Sequence, residues 1–257
     1  MSAKPSVDVK ELESKVKQMY RAVAEDPGGA YHFEMGRGLA ERLGYATSQL
    51  DHVPAGAMES FAGVGYFFDL AALREGETVV DLGSGSGMDA FVAARLVGSS
   101  GRVVGVDFTA EQLAKSRRLA ADAGFDQVDF REGRIENLPV DNASADCVIS
   151  NGVINLSPDK QQVFREAARI LRPGGRLAIA DIVTETPLTE QIVSNTDLWA
   201  SCIGGAAHQK SYLDDLEAAG FTVVTTRRNP YEFISDQARN ASVKYGVMSV
   251  SLLARRS

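Results

Sequence analysis

An apolar segment that runs directly into three alternating glycines constrains this chain more than any other feature. Residues 78–82 are Thr-Val-Val-Asp-Leu, residues 83–87 are Gly-Ser-Gly-Ser-Gly, and Met88 and Asp89 follow. A β-branched run bounded by turn residues is typical of a buried parallel strand, and the apolar spacing after it predicts a helix. Glycines let the backbone approach a ligand and leave free N–H groups at the start of that helix. The segment therefore predicts a βα unit with a ligand-binding loop.

The spacing of the glycines and of the next carboxylate limits the ligand. A dinucleotide fingerprint runs Gly-x-Gly-x-x-Gly, whereas the third glycine here, Gly87, comes one residue early. A second apolar strand, residues 102–106, ends at Asp107, where a carboxylate can bind a ribose 2′,3′-diol. NAD and S-adenosylmethionine (SAM) both present that diol. Asp81 and Asp89 flank the loop and would repel a pyrophosphate but attract a methionine ammonium, which favours SAM.

Five motifs occur in order along the chain. They are Asp81-Leu82-Gly83-Ser84-Gly85-Ser86-Gly87, Gly105-Val106-Asp107, Ile135-Glu136-Asn137-Leu138-Pro139, Ile149-Ser150-Asn151 and Leu171-Arg172-Pro173-Gly174-Gly175-Arg176-Leu177. Together they resemble the motifs of class I SAM-dependent methyltransferases, and the resemblance covers about residues 54–185. Residues 150–160 and 202–206 are similar to arsenite methyltransferases within that family. The resemblance implies a doubly wound, Rossmann-like α/β sheet of about seven strands with the last one antiparallel, SAM as cofactor, and methyl transfer to a small-molecule acceptor.

Residue chemistry and the resemblance together predict the SAM-binding residues. Phe108 is expected to stack on the adenine, and Thr109 to cap the next helix. In the family, the acid in the position of Glu136 accepts the adenine amino group while the preceding residue packs on the ring. The fourth strand, residues 146–150, should deliver uncharged amides beside the methyl donor. The predicted cofactor-binding residues are Asp81, Gly83, Ser84, Gly85, Gly87, Asp89, Asp107, Phe108, Thr109, Ile135, Glu136, Asn151, Val153 and Asn155.

The pattern predicts two parts and one insertion. Residues 1–75 should form an N-terminal helical cap that excludes water and shapes the acceptor pocket, starting with a helix capped by Asp8 and Glu11. Residues 76–257 should form the SAM-binding domain, with residues 188–208 as an inserted segment and the last strand at residues 244–253. The aromatic stretch at residues 60–68 is either a hydrophobic plug under the sheet edge or a wall of the substrate site.

Composition limits the partners and the compartment. The net charge is −7 and no run of Lys and Arg exceeds a pair, so a nucleic-acid partner is not expected. No segment has the apolar length of a membrane span, and residues 1–5 lack the apolar core of a signal peptide. Two cysteines suit a reducing compartment. We expect a cytoplasmic enzyme, either a monomer or a homodimer, without a resident metal ion.

The resemblance to arsenite methyltransferases has a gap at the acceptor. Those enzymes bring three cysteine thiolates to trivalent arsenic, a soft ion for which oxygen and nitrogen are poor ligands. Here Gly152 stands where they have cysteine, and the earlier cysteine, near Gly63, is also missing. Cys202 matches, whereas Cys147 belongs to a strand expected to be buried. We therefore expect a different small acceptor, with activity on thiol-complexed arsenic as the alternative.

The residues that would act on the acceptor are less well defined. Methyl transfer from a sulfonium depends mainly on alignment and desolvation, so a general base is optional. If the acceptor is a hydroxyl or a protonated amine, His208, His32 and Glu34 are candidate bases, and Cys202 is a further candidate catalytic residue. The competing hypotheses are a non-catalytic SAM- or NAD-binding module and an NAD-dependent oxidoreductase. No Tyr-x-x-x-Lys pair follows the fourth strand to support the latter.

Overall fold

The structure is a computed structural model that describes residues 7–200 and 202–257, without the side chain of Ala200. Residues 1–5, on which the signal-peptide expectation depends, lie outside the described residues. Five helices precede the first strand: α1 (Val9–Glu25), α2 (Arg37–Leu43), α3 (Thr47–Leu50), α4 (Ala55–Glu59) and α5 (Phe68–Ala71). None of the described helices is long and apolar enough to cross a membrane.

Strands and helices alternate through most of the rest of the chain. The first half runs β1 (Thr78–Leu82), α6 (Met88–Val97), β2 (Arg102–Asp107), α7 (Ala110–Ala123), β3 (Val128–Glu132) and β4 (Ala145–Asn151), and a single 3₁₀ turn (Ile154–Leu156) follows. The second half runs α8 (Lys160–Ile170), β5 (Leu171–Thr184), α9 (Glu190–Val193), α10 (Thr196–Ala200), β6 (Ala207–His208), α11 (Gln209–Ala218), β7 (Phe221–Arg228), α12 (Asp236–Tyr245) and β8 (Met248–Arg256).

The strands form one sheet in the order β3-β2-β1-β4-β5-β8-β7, and the two-residue β6 pairs with β5. Strands β1 to β5 are parallel, whereas β8 lies antiparallel to both β5 and β7. The predicted doubly wound, Rossmann-like sheet with an antiparallel last strand is confirmed. The chain order reverses between β1 and β4, and the carboxyl ends of strands at such a point form the usual ligand crevice.

The sheet is covered on both faces, as its apolar strands predict. Consecutive residues of β1 point to opposite sides, so Val79 packs in one layer and Val80 in the other. The aromatic stretch at residues 60–68 packs in the first layer, where Phe61, Phe67 and Phe68 are buried. Of its two predicted roles, the hydrophobic plug is the one that the burial supports.

The first helix begins as predicted and packs on the inserted segment. Asp8 Oδ1 accepts hydrogen bonds from the backbone N–H groups of residues 10 and 11 at 3.0 and 3.1 Å. The reciprocal half of the capping box is absent, since the Glu11 carboxylate pairs instead with Lys15 at 2.9 Å. Leu12 and Val16 of α1 pack against Trp199 of α10.

The predicted start of the last strand is wrong. We expected a strand from Lys244, but this residue lies in the last turn of α12, and β8 begins at Met248. Ser235 caps the helix by accepting from the N–H of Ala238 at 3.2 Å, and Gly246 ends it in the left-handed conformation. A helix therefore separates β7 from β8, which pair without a tight turn between them.

The core makes a stability prediction. Phe67 is fully buried, so Phe67→Ala should destabilise the fold by about 3–5 kcal/mol through lost burial and a residual cavity. Val243 is 90% exposed, and Val243→Ala should change stability by less than about 0.5 kcal/mol. Urea unfolding of the two variants beside the native chain measures both values. A small loss for Phe67→Ala would mean that the plug collapses around the cavity.

Candidate active site

A cleft of about 760 Å³, including its open mouth, lies at the carboxyl ends of β1 and β2 and beside the segment that follows β4. Its walls come from four regions: α1, the glycine loop with the end of β2, residues 133–136, and residues 153–158. The lining residues are Leu12, Glu13, Val16, Tyr20, Gly83, Gly85, Asp107, Phe108, Thr109, Gly133, Arg134, Ile135, Glu136, Val153, Leu156, Ser157 and Pro158.

The glycine loop is closely packed at its first and last glycine. The N–H groups of Gly83 and Ser84 both donate to the carbonyl of Val106, at 2.8 and 3.0 Å. Gly83 has a φ of 69°, and a Cβ there would lie 2.5 Å from the methyl groups of Val153. Gly87 has a φ of 97°, and a Cβ there would lie 2.7 Å from the ring of Phe130. Both positions therefore require glycine, and the loop lies directly against the segment that follows β4.

Asp107 fixes the glycine loop and faces the cleft. Its Oδ2 accepts from the N–H of Gly85 at 2.9 Å, and its Oδ1 accepts from the N–H of Thr109 at 2.8 Å. Burial raises the pKa of this carboxyl, and these N–H groups partly offset the rise. Thr109 holds the predicted N-cap position of α7, although its hydroxyl makes no capping bond. Each carboxylate oxygen has further lone pairs, so it can also accept from a ligand hydroxyl.

The far end of the cleft brings together three of the predicted residues. Phe108, Ile135 and Glu136 all line it. The Ser157 hydroxyl donates to Glu136 Oε1 at 2.5 Å, which orients the carboxylate. Lys17 of α1 lies 5.1 Å from the centre of the Phe108 ring. An aromatic ring, an aliphatic side chain and an oriented acceptor are the groups that an adenine needs.

Three other predicted residues do not line the cleft: Asp81 and Asp89 are buried, and Asn151 is partly buried in a hydrogen-bond network with Asp89. Asn151 Nδ2 donates to Asp89 Oδ2 at 2.9 Å, and the Tyr45 hydroxyl donates to Asp89 Oδ1 at 2.5 Å. Asn151 Oδ1 accepts from the N–H of Val64 at 2.7 Å. The network ties the end of β4 to the start of α6 and to the segment before β1.

Asp89 and its buried neighbour Asp81 differ in their hydrogen-bond partners, although burial raises the pKa of both. Burial raises the pKa of Asp89 to about 6, although its bonds from Tyr45 and Asn151 oppose the rise. Burial, and then the charges of Asp89 and Asp107, raise the pKa of Asp81 well above its usual range. Asp81 Oδ2 is buried without a hydrogen-bond partner among residues 7–200 and 202–257. A buried acid with an unused acceptor fits a nearby cationic donor such as the ammonium of SAM.

Asn155 faces a second buried acid rather than the cleft. Its Nδ2 donates to Asp181 Oδ1 at 2.7 Å, and its backbone N–H donates to the same oxygen at 3.2 Å. The Tyr212 hydroxyl donates to Asp181 Oδ2 at 2.8 Å. Asn155 therefore holds the 3₁₀ turn that carries Val153 and Leu156 toward the cleft. Asp181 was not among the predicted site residues, although a carboxylate within an apolar strand is a signal for a buried polar partner.

None of the three candidate bases lines the cleft. Glu34 forms an ion pair with Arg42 near the surface of the cap. The His32 ring contacts Phe33 edge to face, with 4.7 Å between ring centres. His208 is the second residue of β6, opposite Thr184 of β5. The structure therefore does not gather these side chains into one group.

Cys202 lies in the loop after α10 with an unusual backbone. Its φ is 60°, which is strained for a residue other than glycine. Burial raises the pKa of its thiol to about 12, so the thiol is neutral at physiological pH. Burial likewise raises the pKa of Tyr20. Tyr20 lines the cleft and lies near the neutral thiol of Cys202 and one other phenol, Tyr231.

Helix α1 supplies one wall of the cleft, which the sequence predicted only as part of a helical cap. The predicted cap was expected to shape the acceptor pocket, and Tyr20 of α1 lines the cleft. Leu12, Glu13 and Val16 also face the cleft. Arg134, on the opposite wall, forms an ion pair with Glu13 across it. The apolar spacing of α1 indicated a packed face but not the element against which it packs.

Comparison with known proteins agrees with this geometry. A family model described as a methyltransferase domain matches residues 73–220, which is more than half of the chain. An arsenite methyltransferase of Halobacterium salinarum is 40% identical over 235 residues, which cover 89% of this chain and 59% of that protein. The chain spans about half the length of the curated relatives it matches.

Two solved structures are similar in fold. An arsenic (III) S-adenosylmethionine methyltransferase from Chlamydomonas reinhardtii is 30% identical, with a TM-score of 0.64, and the match covers 86% of this chain and 74% of that one. The geranyl diphosphate C-methyltransferase of Streptomyces coelicolor matches over the whole of both chains with a TM-score of 0.69, and at 18% identity it shows the fold alone. The chain therefore belongs to the methyltransferase-domain family, and within it the chain is similar to arsenite methyltransferases.

Proposed function

We propose that the chain binds SAM in the cleft along α1 and transfers its methyl group to a small-molecule acceptor. The observation that carries this proposal is Asp107, which holds the glycine loop through the N–H of Gly85 and lines the cleft beside it. In this arrangement Asp107 accepts from the ribose hydroxyls. Phe108, Ile135 and Glu136 hold the adenine. Asp81 and Asp89 favour the methionine ammonium.

The chain's own contribution to catalysis is alignment and exclusion of water. SAM supplies an electrophilic methyl group on a sulfonium, and the displacement neutralises that charge. Leu12, Val16 and Tyr20 place apolar and aromatic surface over the cleft, which lowers the water content where the methyl group is transferred. The network of Asn151 and Tyr45 fixes the end of β4 next to it, so the donor's position is set by buried hydrogen bonds.

The acceptor that suits this site has a free lone pair at neutral pH. The thiol of Cys202 and the phenols of Tyr20 and Tyr231 all have raised pKa values, so they are neutral and poor bases. No base is then required before methyl transfer, because the lone pair of such an acceptor is already free to attack the methyl group. If the acceptor is an alcohol or a protonated amine instead, His208, His32 or Glu34 must move toward the cleft to act as the base.

Arsenite methylation is the second candidate function, favoured by the relatives' activity and by the strained backbone of Cys202. The lack of room for a side chain at two glycine positions opposes this function. A Cβ on Gly152, where arsenite methyltransferases resembled by this chain have cysteine, would lie 3.1 Å from Val64 at a φ of 71°. A Cβ on Gly63 would lie 2.4 Å from the ring of Phe61. A cysteine at either position would therefore require its neighbour to shift, and the thiol of Cys147 is fully buried within the sheet. We propose a different acceptor.

The ribose contact gives a direct test. Asp107→Ala removes charge-assisted hydrogen bonds to the ribose hydroxyls and should weaken SAM binding by about 2–3 kcal/mol, or about 30- to 150-fold in Kd. Asp129→Ala is the matched control, since Asp129 lies on the next strand, β3, and forms an ion pair with Arg131 at the surface. Isothermal titration calorimetry measures both, with circular dichroism to establish that each variant is folded. Unchanged SAM affinity in Asp107→Ala, or tighter binding of NAD than of SAM by the native chain, would refute the assignment.

The buried acids predict a proton linkage. In the free protein Asp89 keeps its proton up to about pH 6, and Asp81 has a raised pKa for the same physical reason. A nearby ammonium favours the carboxylates, so SAM binding should release protons near pH 6. SAM affinity should then rise from pH 5 to 7 and level off above it.

Calorimetry in two buffers of different ionisation enthalpy detects the released protons. Adenosine is the control, because it carries the adenine and the ribose without the ammonium, and its binding should change little over this range. An equal pH dependence for SAM and adenosine would place the ammonium away from these acids.

The cysteine count predicts the outcome for arsenic. With one matching thiol, the chain lacks two of the three soft ligands, so arsenite with glutathione should be methylated slowly, and Cys202→Ser should leave that rate unchanged. Cys147→Ala, which removes the thiol within the sheet, serves as the control. Detection of methylarsenicals by mass spectrometry is the measurement. Fast methylation that depends on Cys202 would show that external thiols complete the arsenic site.

A further inference from the structure

We propose that Gln112 of α7 is a positioning residue that couples the glycine loop to α1, so that SAM binding and closure of the α1 wall favour each other. The proposal rests on the SAM binding proposed above. It assigns a role to a side chain that neither lines the cleft nor belongs to any of the sequence motifs.

One buried amide joins the two elements. Gln112 is 2% exposed. Its Oε1 accepts from the Ser86 hydroxyl at 2.5 Å, and its Nε2 donates to the backbone carbonyl of Tyr20 at 2.8 Å. The two partners lie 26 and 92 residues away along the chain. Because the amide is rigid and planar, a shift of Ser86 changes the geometry of the bond to Tyr20.

The two hydrogen-bond partners of Gln112, Ser86 and Tyr20, are both connected to the cleft. Ser86 is flanked by the loop glycines and lies next to Gly85, which lines the cleft and donates to Asp107. Tyr20 is part of the α1 wall, and its side chain faces the same cleft. A ligand that fixes the loop therefore fixes one hydrogen bond of Gln112, and the other bond acts on the wall.

Other side chains of α7 hold α1 without reaching the loop. Lys115 Nζ donates to the carbonyl of Ala24 at 3.2 Å and so caps the last turn of α1. Glu111 forms an ion pair with Arg21 at 3.3 Å on the surface. In the described part of the chain, neither makes a hydrogen bond to residues 83–87. They anchor α1 in the same way whether the loop is occupied or empty, which makes them suitable controls.

The chain contains its own reporter of α1. It has a single tryptophan, Trp199, which is 2% exposed and packs against Leu12 and Val16 of α1. Movement of α1 away from the cleft uncovers this ring. Acrylamide quenching of Trp199 fluorescence therefore reports the position of the wall, and it needs no knowledge of the methyl acceptor.

The experiment compares SAM-dependent quenching in the native chain, Gln112→Met, Ser86→Ala and Lys115→Met. Binding of SAM should protect Trp199 in the native chain. Ser86→Ala cuts only the loop side of the link, so the free protein should quench like the native one while the protection by SAM is lost. Gln112→Met, of similar volume, should lose the protection and also quench more in the absence of SAM. Both should bind SAM about fivefold more weakly, which corresponds to one buried hydrogen bond.

Lys115→Met loosens α1 without touching the loop, so it should quench more in both states and keep the SAM-dependent difference. Retention of full protection by Ser86→Ala, with SAM bound, would overturn the proposal and leave Gln112 a structural anchor. The absence of any SAM-dependent change in the native chain that binds SAM would overturn it too. Calorimetry on the native chain separates these outcomes from a failure of SAM binding itself. Because Ser86→Ala removes one oxygen, the test does not depend on the fold of Gln112→Met.

Discussion

The burial of carboxylates at the carboxyl ends of β1 and β2 is the constraint on which the rest of the site depends. Asp81, Asp89 and Asp107 lie close enough for their charges to raise the pKa of Asp81. Removing carboxylates from water is costly unless each is compensated. Backbone N–H groups compensate Asp107, and Tyr45 and Asn151 compensate Asp89. A bound cation would compensate Asp81, whose Oδ2 has no hydrogen-bond partner among the described residues. SAM binding should therefore also stabilise the fold.

The same principle explains the segment that follows β4. Asp181 is a buried carboxylate in β5 that accepts from Asn155 twice and from Tyr212 once. These bonds fix the position of the 3₁₀ turn. The turn then holds Val153, the residue before it, against Gly83. The loop and the turn are therefore positioned from opposite sides by separate buried acids. A change in either acid is expected to move the same wall of the cleft, although the two lie in different strands.

The sequence predicted most reliably those features that depend on residues close together in the chain. The βα unit around Gly83 and the end of β2 at Asp107 follow from local periodicity and short motifs, whereas the doubly wound sheet with its antiparallel last strand was implied by the resemblance to a family. It misplaced the start of the last strand, because Lys244 belongs to the last turn of α12 and Gly246 ends that helix before β8 begins at Met248. It also could not find contacts between distant segments. Tyr45 and Gln112 carry no local pattern, and only the tertiary structure shows that one reaches Asp89 and the other reaches Tyr20.

Helix α1 has the packing expected of a wall that must open. Only Leu12, Val16 and Val23 among its residues are buried, whereas most residues of the central strands β1 and β4 are buried. Its ion pairs, including Lys15 with Asp197, are largely exposed, and such pairs contribute little because water and salt screen them. The wall therefore closes over the cleft at a small gain in free energy, and a ligand's contacts can decide its position. A cofactor that is consumed at every turnover needs such a wall, because exchange requires the closed state to be only marginally stable.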